Sequence, residues 1–243
     1  MLLGSLRDIV KHTHSLGFIE MVKFVGTPTN AKIEAIDADK TVVLYGDLYQ
    51  PITELGATIG LSRMAQLKGF MDLHSDSKVT VESEVRGTET IPTELKFDDG
   101  EGDIASYRFM SETVVNDQIK VPPFKGAVWN VTFQPDKAKI DRLNQYQGIL
   151  GGFEKRFIVS TKNDVLSFSI GSGPTDRSTL AFAKGITGAL KHQWSWPLSQ
   201  VLSILKLNDN GIVTMNFSDM GALKIDVDSG LGKYSYILPA TKA

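Results

Sequence analysis

The chain contains no cysteine in its 243 residues. That absence excludes disulfides, thiol nucleophiles and cysteine metal sites, and it fits a reducing compartment. Long apolar runs are missing as well. No stretch approaches the roughly 18 consecutive apolar residues of a membrane span. The opening MLLGSLRDIVKH is too short in apolar residues for a signal peptide, with charge arriving at Arg7. Histidine is scarce, at His12, His14, His74 and His192. His12 and His14 stand two apart, which on a helix directs them to different faces, and no HExxH pattern occurs. Charge of one sign is not in excess either. Lys and Arg number 26 against 28 Asp and Glu, a net −2, so bulk charge points to neither nucleic acid nor membrane.

What is present is an ordinary globular composition, 42% apolar and 22% charged. Such a chain can bury one large core or two cores of about 120 residues each. β-branched and aromatic runs predict strands at 18–25, 31–37, 40–47, 52–59, 78–85, 91–98 and 104–110. A second set is predicted at 127–133, 153–161, 164–170, 178–184, 188–194, 211–217, 221–228 and 232–238. Turns are marked by Lys162-Asn163, by Asn208-Asp209-Asn210-Gly211 and by Asp228-Ser229-Gly230. Between the two sets the periodicity lapses through SETVVNDQIKVPPFKG, where Pro122-Pro123 is a firm breaker. The expected organisation is a first domain at 1–110, a connector at 111–126 and a second domain at 127–243.

Four segments break the alternation and predict helices at 4–15, 61–71, 135–150 and 197–207. Pro135 and Pro197 sit where proline opens a helix well. Each half therefore runs helix, strands, helix, strands. One pattern of a helix plus several strands is written four times, with little identity between the copies. The expected fold class is α+β, two similar domains with two helices each on antiparallel sheets.

Charge is not spread evenly over these elements. The four helical segments carry +5, leaving −7 for the rest of the chain. Arg7, Lys11 and His14 form one stripe opposite the apolar face of the first helix. Lys139, Arg142 and Gln145 make a row on the third, and the fourth offers Ser199, Gln200, Ser203 and Lys206. Such groups suit loose contact with a phosphate backbone, where charge matters and base identity does not. Any solvated helix face also carries lysine and arginine, so the signal lies in the shared sign of all four.

Patterns for catalysis are lacking. Gly171-Ser-Gly-Pro174 before Thr175-Asp176 has neither the lysine nor the following helix of a phosphate loop, and predicts a hairpin turn. The run Asp98-Asp99-Gly100-Glu101-Gly102-Asp103 lacks the spacing of a calcium loop and predicts a solvated turn. Trp194 and Trp196, at alternating positions, predict packing on one sheet face rather than base stacking.

The segment WPLSQVLSILKLNDNGIVTMNFSDMGALKIDVDSGLGKYSYILPA resembles the last helix, turn and final strands of the DNA polymerase sliding clamps. AKIEAIDADKTVVLYGDL is similar to strands of their first domain. FQPDKAKIDRLNQYQGIL with FIVSTKNDVLSFSI is similar to the opening of their second. In element order the resemblance covers the whole chain and points to the trimeric branch that contains the T-even phage clamps and proliferating-cell nuclear antigen.

The resemblance implies a homotrimeric pseudo-sixfold ring with the helices lining the hole and the sheets forming the wall. It implies a non-enzymatic processivity factor without cofactor or metal, acting in the cytoplasm, that of a phage-infected bacterial cell included. Its partners would be duplex DNA without sequence preference, DNA polymerase, a clamp loader and further copies of itself, with no membrane. The channel candidates are Arg7, Lys11, Arg63, Lys68, Lys137, Lys139, Arg142 and Lys206. Their helices follow the resemblance and their positions follow helical phase. A partner-peptide pocket is implied at Ile36, Val43, Tyr236, Leu238 and Pro239, although the tail ILPATKA departs from the family's order around its proline. Tyr236 and Leu238 suit ordinary strand packing equally well. Subunit contact is implied at 104–110 and 178–184, with Tyr107, Phe109, Leu180 and Phe182. Plain internal strands are the alternative there. A β-rich viral assembly protein that forms rings by edge pairing is the competing function, and the basic helices argue against it.

Overall fold

A computed structural model of the chain describes residues 2–171, 174, 176–209 and 211–242. In chain order its elements are α1 (Leu2–Lys11), β1 (Val22–Gly26), β2 (Ala31–Ile36), β3 (Val43–Leu48), β4 (Thr58–Leu61), α2 (Met64–Leu73), β5 (Lys78–Arg86), β6 (Glu89–Asp98), β7 (Ile104–Arg108) and α3 (Glu112–Gln118). There follow β8 (Val131–Phe133), α4 (Lys137–Leu150), β9 (Arg156–Lys162), β10 (Val165–Ile170), β11 (Ser178–Lys184) and β12 (Trp194–Pro197). The chain ends with α5 (Leu198–Leu205), β13 (Ile212–Ser218), β14 (Ala222–Asp228), β15 (Gly232–Pro239) and β16 (Thr241–Lys242). The fold is α+β, and none of the helices among the described residues is long and apolar enough to cross a membrane.

Two compact units divide the chain, Met1–Pro122 with Gly230–Tyr234 and Pro123–Ser229 with Ser235–Ala243. In the first unit one sheet runs β4-β1-β2-β3, followed by the opening residues of β15, and a second runs β5-β6-β7. The second unit has β12-β9-β10-β11, with β16 beside β12, and β8-β13-β14-β15. Helix, three strands and a further strand give the same lateral order in both units. β4, β1, β2 and β3 thus correspond to β12, β9, β10 and β11. The pairings β1–β2, β1–β4, β2–β3, β9–β10 and β10–β11 are antiparallel. The repeat read from the alternation of elements is a repeat of topology.

The cores follow from the periodicities. α1 buries Leu2, Leu6, Ile9 and Val10, and α2 buries Met64, Leu67 and Met71. In the second unit α4 buries Ile140, Leu143 and Leu150, and α5 buries Leu198, Val201, Leu202, Ile204 and Leu205. Strand alternation points Phe157, Phe168, Phe182 and Phe217 inward to meet them. Phe168 stacks on Phe182 at 4.1 Å and Trp196 meets Phe217 edge-on at 5.4 Å. Burying side chains of this size contributes about 1.5–3 kcal/mol each.

Several predicted segments differ. The strand at 188–194 is absent. Leu190 N and O are held by Thr161 Oγ1, and the N–H groups of Lys191 and His192 go to Asp219 Oδ1, so side chains replace a ladder there. The strand at 52–59 becomes a 3-10 turn at Thr53–Leu55 before β4. Leu61 closes β4, and α2 starts only at Met64. Within the segment expected as a connector, Glu112–Gln118 form α3, whose Val115 is buried where Gly60 leaves room. The turn at 171–176 includes Ser172, Gly173 and Thr175, and the turn at 208–211 includes Asn210. These four lie outside the described residues.

Candidate nucleic-acid interface

The helix charges change once the bounds are known. α2 extends to Leu73 and so takes in Asp72, whose carboxylate pairs with Lys68 Nζ. Arg63 lies outside the helix as its N-cap, so α2 itself is neutral, not +2. α4 starts after Asp136 and carries Lys137, Lys139 and Arg142 against Asp141, a net +2. α5 has no charged residue, and Lys206 is its C-cap.

Arg7 is exposed on α1, and its Nη2 donates to Met71 O at 3.1 Å. That carbonyl lies in the last turn of α2, where intrahelical donors run out and a cation is favourable. Lys11 is half-buried and ends the same helix. Arg63 has left-handed backbone angles, φ 51° and ψ 47°. Its guanidinium lies 6.0 Å from the centroid of the Tyr107 ring and donates to Arg108 O at 3.4 Å. Tyr107 in turn donates its hydroxyl hydrogen to Ser62 O. Burial pushes its pKa up to about 12, against the opposing pull of Arg63.

In the second unit Lys137 bonds to Asp209 and stands 4.0 Å from Asp141, and the bond to Asp209 raises its pKa. Arg142 donates to Gln145 Oε1 at 3.3 Å. Lys139 is half-exposed and Lys206 exposed. Ser199, Gln200 and Ser203 also face outward from α5. Each unit therefore lays a pair of helices against its sheets, apolar side inward, with cations among the outward groups.

Sequence comparison finds no matching family model and no matching curated protein. Solved structures do match. Proliferating-cell nuclear antigen (PCNA) of A. fulgidus, in a structure with the C-terminal region of FEN-1, is similar at TM-score 0.68 and 13% identity, over 100% of this chain and 95% of that one. PCNA of Thermococcus kodakaraensis is similar at TM-score 0.71 and 12% identity, over 98% and 97%. The chain has the sliding-clamp fold. At this identity the likeness concerns the backbone path, and the expected α+β class of two similar domains agrees with it.

The remaining clamp candidates occupy distinct places. Ile36 and Val43 are cross-strand partners on β2 and β3 of the first unit, Ile36 half-buried and Val43 buried. Tyr236 and Leu238 are fully buried in β15, Pro239 is exposed, and Trp196 Nε1 donates to Leu238 O at 3.1 Å. Both edge candidates do end a sheet, β7 in the first unit and β11 in the second. Tyr107, Leu180 and Phe182 nevertheless point into their own cores, and Phe109, half-buried, lies just past β7.

Sequence reasoning missed the group of buried His12 and Tyr234 with half-buried Asp8. The two rings stack at 4.1 Å, and Tyr234 donates to Asp8 Oδ2 at 2.7 Å. The i, i+4 spacing of Asp8 and His12 was the available signal. It also missed the exposure of Leu73, Ile104, Ile149 and Phe153. Of these, Leu73 and Ile149 sit on helices beside apolar neighbours that are buried.

Proposed function

We propose that this protein is a sliding clamp, a homotrimeric ring that encircles duplex DNA and tethers a DNA polymerase after a clamp loader closes it. The observation that carries this reading is the repeated unit, a pair of helices with outward cations on antiparallel sheets in the PCNA fold. Lys11, Lys139, Arg142 and Lys206 are the cations best placed to meet phosphate, because no carboxylate holds them among the described residues. Long, solvated side chains exchange phosphates at little cost, so retention comes from topology while the ring stays free to slide. The protein acts as a scaffold and not as an enzyme.

The A. fulgidus structure contains a FEN-1 segment, and by analogy short peptides of partner proteins dock on this chain. Ile36, Val43 and Pro239 are the proposed contact residues, with Tyr236 and Leu238 supporting from the core. Subunits join through the edges of β7 and β11, with Tyr107, Phe109, Leu180 and Phe182 stiffening those strands from behind.

Light scattering over a concentration series tests the ring. A mass of about 80 kDa, three chains of 26.6 kDa, is the expected result. Retention on circular DNA with loss from linear DNA is the second. A monomer or dimer at every concentration rejects the ring.

A further inference from the structure

β7 meets β6 in a register that fixes which of its backbone groups are open. Phe109 N donates to Thr93 O at 2.9 Å, and the partners run Arg108↔Glu94, Tyr107↔Leu95, Ser106↔Lys96, Ala105↔Phe97 and Ile104↔Asp98. Antiparallel pairs alternate between hydrogen-bonded and non-bonded. Starting from the bonded Phe109–Thr93 pair, Tyr107 and Ala105 face β6. The N–H and C=O groups of Arg108, Ser106 and Ile104 therefore point away from it, toward the open edge. Beyond them the edge is closed, because Met110 and Gly60 exchange two backbone bonds of 2.9 Å.

One of these outward carbonyls is taken. Arg63 Nη2 donates to Arg108 O at 3.4 Å, and the same guanidinium lies over the Tyr107 ring. The backbone that aims it there is unusual. Arg63 has φ 51°, a region that side chains other than Asn, Asp and Gly rarely adopt, and Tyr107 pins the preceding carbonyl of Ser62. The turn thus directs a cation at a strand edge.

We infer that Arg63 guards the β7 edge, occupying the Arg108 carbonyl in the free chain and giving it up when a neighbouring strand pairs there. Charged groups placed against edges are a general means of discouraging strand addition. The sheet edges differ. β5 carries Lys78, Glu82, Glu84 and Arg86 along its length, and β4, β8 and β16 have four residues or fewer. β11, the proposed partner edge, has seven residues with Lys184 its single charge and stays open, whereas β7, five residues long with Arg108 its single charge, has Arg63 set against it. The bond is a single contact near the upper limit of hydrogen-bond length, weak enough for a partner's N–H to replace it. Arg63, read from helical phase as a channel cation, is on this geometry a regulator of assembly. The inference rests on the reading of the chain as one that self-associates through β7.

The test compares wild type with Arg63→Asn and Arg63→Lys by light scattering and analytical ultracentrifugation without DNA. Asn keeps the left-handed backbone at little cost while removing the guanidinium, and Lys keeps the charge but loses the fork. Circular dichroism melts confirm that each variant is folded. Removing a competing charged hydrogen bond is expected to let Arg63→Asn assemble at a concentration about fivefold lower than wild type, with Lys in between. A synthetic peptide of residues 178–184, the β11 sequence, provides a second measurement and should bind Arg63→Asn more tightly than wild type. Unchanged or weakened assembly and unchanged peptide binding by a folded Arg63→Asn, with wild type still assembling, overturns the guard role and leaves the ring standing. A wild type that never assembles rejects the ring itself. In that case tighter binding of the β11 peptide to Arg63→Asn would still support the guard, and equal binding would overturn it.

Discussion

Arg7 and Met71 are joined by a hydrogen bond of 3.1 Å from a guanidinium on α1 to a carbonyl in the last turn of α2. The cation that helical phase places on the outer stripe of α1 is also a tie between two helices. Arg7→Ala is expected to cost about 1 kcal/mol of stability, because it removes both the bond and a favourable charge at a helix C-terminus. Lys11→Ala, by contrast, should stay within about 0.5 kcal/mol of wild type. Urea titrations of the two variants give the comparison.

Lys139 and Arg142 lie one helical turn apart on α4, and Gln145 is the one partner that either shows in the geometry above. The double variant Lys139→Ala/Arg142→Ala should leave the assembly mass unchanged while lowering DNA-dependent stimulation of a polymerase. The salt dependence of DNA retention should become shallower, since fewer phosphates are neutralised. Unchanged stimulation would remove α4 from the DNA contact.

Tyr107 keeps its proton to about pH 12 because burial disfavours the phenolate. Its folded pKa lies above the ordinary value near 10. Its contribution to stability is therefore full below pH 10 and is lost as pH rises through 12. By linkage the contribution is on the order of 3 kcal/mol. Thermal melts between pH 9 and 12 should fall more steeply for wild type than for Tyr107→Phe. At neutral pH the Phe variant should be about 1 kcal/mol less stable, through loss of the bond to Ser62 O.

Gly188 has φ +91°, and a Cβ there would lie 1.9 Å from Asn130 O. Asn130 cannot yield easily, since its N–H bonds to Phe217 O at 2.8 Å and its Oδ1 accepts from Asp219 N at 2.7 Å. Gly188→Ala should therefore cost about 2 kcal/mol or more, read as a lowered denaturant midpoint.

Strands at 31–36 and 178–184 were legible because alternation in the sequence agrees with where their side chains point. The apolar faces of α1, α4 and α5 were legible for the same reason, local pattern matching tertiary burial. α3 was not legible. Seven residues make too short a period to read, and Val115 is held by Gly60, a residue distant in sequence. Arg63 shows the limit most clearly. Its letter and its place beside a helix suggest an outward cation, but a left-handed turn, which sequence does not announce in an arginine, sends the guanidinium to β7. The charge of α2 likewise depended on its bounds, with Arg63 falling outside the helix and Asp72 inside it.

On the proposed assembly, a molecule with pairing ends at β7 and β11 is in polymer terms a bifunctional monomer. Its condensation has two products, a cycle and a growing linear chain, chosen by the angle between successive copies and by concentration. Crowding favours chain growth, because end-to-end encounter then outcompetes cyclisation. Weakening one end slows both products but spares the cycle, in which the last joint forms intramolecularly at high effective concentration. On that proposal a single displaceable arginine at one end selects closed rings over fibres.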